Sequence, residues 1–320
     1  MQSKLLNSDL IEAIRRSLPP KTNVTNVLMD VLDIGKEAVY RRLRSEVPFT
    51  FAEASRIARS LGISLDRITS VHTEDIAVFN LYMMHSEDPF ETYYRSAEDF
   101  LHNCAAVQGD PSAEWYTASC SIPHAFCMEY EYLAKFLLYK WLYQQDRIEN
   151  GRYYADLEIP EKIRKVQLDC AEETRSVASS GFIWDEIVFL SLVNDILYFH
   201  EINLITDAEK GRLKEELLSM MDMLENLAAK GEYENGNRIY FYISHINFEA
   251  TYGYLSTEAV KLSLIRLYAI NMIYSADPNV FEYQKNWILS LKKYSTLISV
   301  SGERQRIRFF EKQRLLIDKL

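Results

Sequence analysis

Cysteine is scarce, glycine-rich loops are missing and no long apolar run occurs. Each shortage excludes a class of protein. Four cysteines in 320 residues, Cys104, Cys120, Cys127 and Cys170, form no disulfide-scaffold spacing. No run of about 18 uncharged apolar residues marks a membrane span. Even "IWDEIVFLSLVNDILYF" holds Asp185, Glu186 and Asp195. The opening "MQSKLLNSDLIEAIRRSL" lacks the apolar core of a signal peptide, so the cytoplasm of a cell with a reducing interior is the expected location. No phosphate-binding loop, dinucleotide glycine motif or nucleophile elbow is found. His200-Glu201 is not followed by a second histidine at helical spacing, which excludes the zinc-protease pattern. Cys120, His124 and Cys127 in "CSIPHAFC" match no standard zinc spacing and lack an evident fourth ligand. The expectation is a protein that is not an enzyme, with no metal and no cofactor.

Basic charge is also short. The chain carries 36 Lys/Arg against 46 Asp/Glu, a net charge of −10, so taken whole it does not read as a nucleic-acid binder. The balance is uneven: residues 1–70 hold eleven basic and eight acidic side chains, a net of +3, and the remainder is at −13. A small basic head on an acidic body fits local DNA contact. Aromatics are almost absent from the head. Before residue 76 there are only Tyr40, Phe49 and Phe51, and the other 37 of 40 lie downstream. The shift places a domain boundary within "SVHTEDIA": a head at 1–70, a linker at 71–77 and a larger domain at 78–320.

What the head contains is helical. Leu10, Ile11, Ile14 and Leu18 repeat at helical spacing before Pro19-Pro20. A second helix is expected around 24–32, with Val27, Leu28, Val31 and Leu32 in one stripe. "DIG" allows only a tight turn, with Asp33 or Gly35 taking the cap or the unusual backbone angle. A third helix over 36–45 turns Ala38, Val39 and Leu43 inward, which sets Lys36, Glu37, Tyr40, Arg41 and Arg44 outward. A fourth over 50–61 ends at Gly62, and "ISLDRI" begins a fifth.

Five short helices with a tight turn between the second and third describe a helix-turn-helix unit. "LMDVLDIGKEAVYRRLRSEVPFTFAEASRIARSLGISLDRI" resembles the Cro/C1 type (lambda-repressor-like, XRE) of DNA-binding domain over about residues 7–70. Thr25 stands where that family often has Gln, and Asp33 where it often has Gly. The pattern also resembles helix-turn-helix regulators of the Bacteroidetes, in "LAKFLLYKWLYQ", "YFYISHINFEATYGYL" and "STLISVSGERQR". The resemblance implies a bacterial transcription regulator whose third helix enters the major groove of double-stranded DNA. Lys36, Glu37, Tyr40 and Arg41 would then meet base edges, Arg42 and Arg44 phosphates, and Thr25 could bond a phosphate. A homodimer reading two half-sites is expected, its interface in the larger domain, together with an unknown small-molecule or peptide effector. The competing reading is a protein-interaction module that keeps the helix-turn-helix fold without operator binding.

For the larger domain the pattern predicts helices over 87–108, 123–145, 161–175, 184–199, 207–230, 279–299 and 303–320. A strand is predicted over 114–122, and 77–84 reads as a strand or a buried helix start. "RIYFYISHI", "FEATYGYLS" and "VKLSLIRLYAINMI" read as an antiparallel meander, the last fitting a helix as well. "GERQRIRFFEKQR" reads as a solvated helix with Ile307 and Phe310 on its buried or partner-facing side. The fold class expected is mainly α: a helix-turn-helix head plus a larger helix-rich α+β domain with a small antiparallel sheet.

Overall fold

The computed structural model describes residues 2–19, 22–69, 77–81, 88–147, 153–268 and 271–320. The chain divides into two compact units, Met1–Val78 and Phe79–Leu320. Residues 71–76 of the expected linker lie outside the described residues. Among the described residues no helix is long and apolar enough to cross a membrane.

Among the described residues the smaller unit has five helices: α1 (Gln2–Ser17), α2 (Val24–Leu32), α3 (Lys36–Leu43), α4 (Phe51–Leu61) and α5 (Leu65–Thr69). Leu10, Ile14, Leu28, Leu32, Val39 and Ile57 form its core, one or two residues from each of four helices. Helices α2 to α5 have 5 to 11 residues, too few to persist alone, so this shared core holds them.

The larger unit follows as β1 (Asn80–Leu81), α6 (Pro89–Ala105), β2 (Glu114–Ser119), α7 (His124–Cys127), α8 (Glu131–Gln144), α9 (Glu161–Glu173), β3 (Ser179–Trp184), α10 (Leu190–Glu201), α11 (Asp207–Lys230), β4 (Arg238–Ile243), β5 (Thr251–Ser256), β6 (Lys261–Tyr268), β7 (Asn271–Ser275), α12 (Pro278–Lys293), β8 (Thr296–Leu297) and α13 (Glu303–Ile317). The strands form one sheet in the order β1-β7-β6-β5-β2-β3-β4-β8. β2, β3 and β4 are parallel and the remaining neighbours antiparallel.

This corrects the expected fold class. The larger unit is α/β, with eight strands in one mixed sheet among the described residues, and not a helical domain with a small antiparallel one. β4 is not the first strand of a meander, since it pairs in parallel with β3; only β5, β6 and β7 form the hairpin series. Residues 179–184, including Trp184, are strand β3, and helix α10 starts only at Leu190. The helix expected over 123–145 is broken into α7 and α8. The one expected over 279–299 gives way to β8. Along α13 Phe310 is buried as expected, together with Phe309, while Ile307 is exposed.

Alternation along the central strands makes two cores. Trp115, Phe182, Trp184, Phe241 and Leu255 face helices α6 through α11 and α13. Tyr116, Ala118, Ile183, Tyr242 and Tyr254 face Phe281, Ile288 and Leu291 of α12. On that second face the rings of Tyr116 and Tyr254 stack at 5.7 Å. Lys292 donates to the Tyr116 hydroxyl at 3.2 Å. Gly181 is required there, because a Cβ at this position would lie within the Tyr116 ring.

Candidate nucleic-acid interface

The turn between α2 and α3 is built by its own chemistry. Asn23 caps α2, its side-chain oxygen accepting from the N–H of Thr25 at 3.0 Å and of Asn26 at 3.3 Å. Asp33 closes the helix in the left-handed region (φ 56°), and its N–H donates to the Met29 carbonyl at 2.9 Å. A short polar side chain tolerates that backbone better than most residues. Gly35 begins α3 with an ordinary extended backbone (φ −68°), so Asp33 carries the unusual angle. Ile34 packs into the core between them.

Val39 at the centre of α3 is fully buried, which fixes the rotation of the helix. Lys36, Glu37, Arg41 and Arg44 are thereby exposed and Tyr40 is half-buried. The Lys36 ammonium and the Arg44 guanidinium each lie 5.8 Å from the Tyr40 ring centroid, one turn before and one turn after it. These three side chains make a continuous cationic and aromatic ridge, and cations favour the ring face. Arg41 and Arg44 each stand 3.8 Å from the Glu46 carboxylate, and both are more than half exposed.

Two of the candidate residues are placed differently from the rest. Arg42 turns toward α4: its Nε donates to Glu53 Oε2 at 3.1 Å and its Nη2 to Oε1 at 2.7 Å, while Nη1 donates to the Ala38 carbonyl at 3.2 Å. Glu53 also caps α4 with Thr50, accepting the Thr50 N–H at 2.8 Å. Partial burial pushes the Glu53 carboxyl up, but hydrogen bonds from Arg42 and Thr50 outweigh it and leave it below the ordinary carboxylate range. Thr25 sits within the first turn of α2 and is buried, whereas Asn23 and Asn26 beside it are exposed. The sequence signal for that exchange is the run Asn23-Val24-Thr25-Asn26, with a preferred capping residue ahead of the apolar repeat.

The segment after α3 is tied back to α1. Ser45 adopts φ 58°, and Asn7 of α1 donates to its hydroxyl at 3.0 Å and accepts the Phe49 N–H at 2.9 Å. Asn7 is buried and spans the loop by these two bonds, so the C-terminal end of α3 is held from two directions.

Cys120, His124 and Cys127 diverge in the larger unit. Cys127 lies in the core with its sulfur 3.9 Å from that of Met220, and Cys120 stands 3.9 Å from the Glu249 carbonyl. Among the described residues no group of three or more His, Cys, Asp or Glu side chains gathers to hold a metal ion. No family model matches the chain, and no curated protein sequence does.

Proposed function

We propose that the chain is a sequence-specific DNA-binding transcription regulator. In this reading α3 enters the major groove, with the ridge of Lys36, Tyr40 and Arg44 and the neighbouring Arg41 toward the duplex. The observation that carries the reading is this exposed ridge on the second helix of a tight helical pair, together with the likeness of residues 7–70 to Cro/C1-type domains. Arg and Lys there have the donors that guanine O6 and N7 accept, and Tyr40 offers a ring to stack or a hydroxyl to donate. Arg42, spent on Glu53, acts in this reading by holding α3 against α4.

The protein acts as a homodimer, because one unit of this kind spans half a site. Tyr283, Trp287 and Tyr294 on or just after α12 are exposed aromatics of the larger unit and favour pairing there.

Selection of bound duplexes from a random pool with the full chain tests the reading. Enrichment of one motif is expected, as is its loss in the Lys36→Ala/Arg41→Ala/Arg44→Ala protein. An unenriched pool, or a triple variant that binds the motif as tightly as the parent, overturns it.

A further inference from the structure

A cavity of about 130 Å³ lies in the larger unit between one face of the sheet and helices α6, α7 and α9. Its sheet wall follows the pleat. Trp115, Thr117 and Ser119 are alternate residues of β2, Gly253 of β5 lies opposite Thr117, and Leu264 and Arg266 of β6 continue the wall. Gly253 keeps the space clear, since a Cβ there would stand 2.9 Å from the Thr117 methyl.

Two features of this wall do not belong to a closed apolar core. The indole N–H of Trp115 and the hydroxyls of Thr117 and Ser119 are buried without a hydrogen-bond partner among the described residues. Ser119 is 1% exposed and Thr117 7%, so water outside the protein does not serve them. An unpaired buried polar group costs about 1–3 kcal/mol, and three on one wall is unusual.

The second feature is Arg266, half-buried in a strand that otherwise reads "KLSLI-LY". Its Nη2 donates to Thr251 Oγ1 at 2.6 Å and to Ser121 Oγ. These are neutral partners, and among the described residues no carboxylate forms an ion pair with it. Burial lowers its pKa, yet a guanidinium does not lose its proton in a protein. A guanidinium drawn partly out of water with neutral partners alone is costly, and an anion from outside the chain would relieve it.

The space and the register set the kind of anion. Thr251 lies opposite Arg266, and Tyr252 opposite Ala118, so Arg266 and Ser119 flank the same level of the sheet from β6 and β2. Apart from His124, Ser96 and Thr251, the rest of the lining, Trp115 and Phe100 included, is largely apolar. A dry apolar cavity of roughly 150 Å³ is known to accept benzene, so this one takes a body of about six carbons.

We propose that the cavity binds a small apolar monocarboxylate on the scale of benzoate. Its carboxylate accepts from Arg266 and from the Ser119 and Thr117 hydroxyls, and its apolar body lies against Trp115 and Phe100. The binding stands by itself; naming the ligand an effector of transcription rests on the DNA-binding reading above.

Isothermal titration calorimetry of the full chain tests this with benzoate, benzyl alcohol and acetate. Benzoate is expected to bind saturably, about tenfold or more tighter than either benzyl alcohol, which lacks the charge, or acetate, which lacks the apolar body. Arg266→Met is expected to lose that advantage and to keep the affinity for benzyl alcohol. Should Arg266→Met fail to fold, Thr117→Val/Ser119→Ala is expected to weaken benzoate binding several-fold. The proposal is overturned by no benzoate binding up to ~10 mM, by benzyl alcohol or acetate binding as tightly as benzoate, or by unchanged benzoate affinity in a folded variant.

Discussion

Arg42 and Glu53 are joined by two parallel hydrogen bonds, 3.1 and 2.7 Å long, that lock α3 to the first turn of α4. Both side chains are only 16% exposed, so the pair is shielded from solvent screening. Arg42→Met is expected to lower stability by about 1.5–3 kcal/mol, the range for hydrogen bonds to charged groups. Urea denaturation of the full chain, followed by a signal from the smaller unit, measures it. Glu53 titrates below its ordinary 4.5, so its contribution is complete above that value and is lost as pH falls through its folded pKa.

The same pairing separates Arg42 from its neighbours in DNA binding. The salt dependence of affinity for an arbitrary duplex counts the phosphates a protein neutralises. Arg44→Ala is expected to flatten that slope by about 0.9, whereas a folded Arg42→Met protein keeps it. Fluorescence anisotropy across a salt series gives both slopes. Equal flattening by the two substitutions would show that Arg42 leaves Glu53 to reach the duplex.

Gly181→Ala is expected to destabilise the larger unit by about 1–3 kcal/mol, because overpacking displaces the Tyr116 ring stacked on Tyr254. Gly181→Ala/Tyr116→Leu should recover part of the loss. Thermal denaturation of the two proteins makes the comparison, and a fully tolerated alanine would mean that the ring has other room.

His124 should make the larger unit sensitive to mild acid. Burial, helped by the positive charges of Arg266 and Lys140, pushes its pKa from the ordinary 6.5 down to about 3. The folded state therefore favours the neutral ring. The stabilisation is complete above 6.5 and is lost as pH falls from there toward 3. Between pH 7 and 5 the cost is about 1–2 kcal/mol. Denaturation at the two pH values should show it, and His124→Gln should remove that part of the difference.

Tyr283 is 79% exposed on α12. Tyr283→Glu is expected to weaken the homodimer about tenfold or more without loss of fold, if the aromatic face of α12 is the pairing surface. Sedimentation velocity over a concentration series reads the shift. An unchanged dimer places the interface elsewhere.

Particular residues show what could be read in advance. Val39, Leu43 and Gly62 marked the inward faces and ends of the short helices, because each helix there has one buried stripe and a local stop signal. The sheet was harder. "SSGFIW" is buried on both faces, so it lacks the alternation that marks a half-exposed strand, and its closing Trp184 was absorbed into the helix after it. β4 precedes β5 in the chain with a short connection, which suggested a hairpin. Its true neighbour β3 is decided by the long helical crossover between them.

The cavity was less legible still. Its wall comes from four strands scattered over about 150 residues, and the one local sign was Arg266 set among apolar neighbours in β6. The engagement of Arg42 was invisible for a related reason. A run of arginines gives no indication which member faces inward, and only the position of Glu53 on the next helix decides it.

The pairing of β2 with β5 has a kinetic consequence. Residues 114–119 cannot close against 251–256 until nearly the whole chain has left the ribosome. The smaller unit needs only contacts among its own first residues. Local contacts form quickly and distant strand pairing slowly, so the two units are expected to mature in sequence during synthesis. The helical head is complete early, while β2 waits with an open edge for a partner still being made.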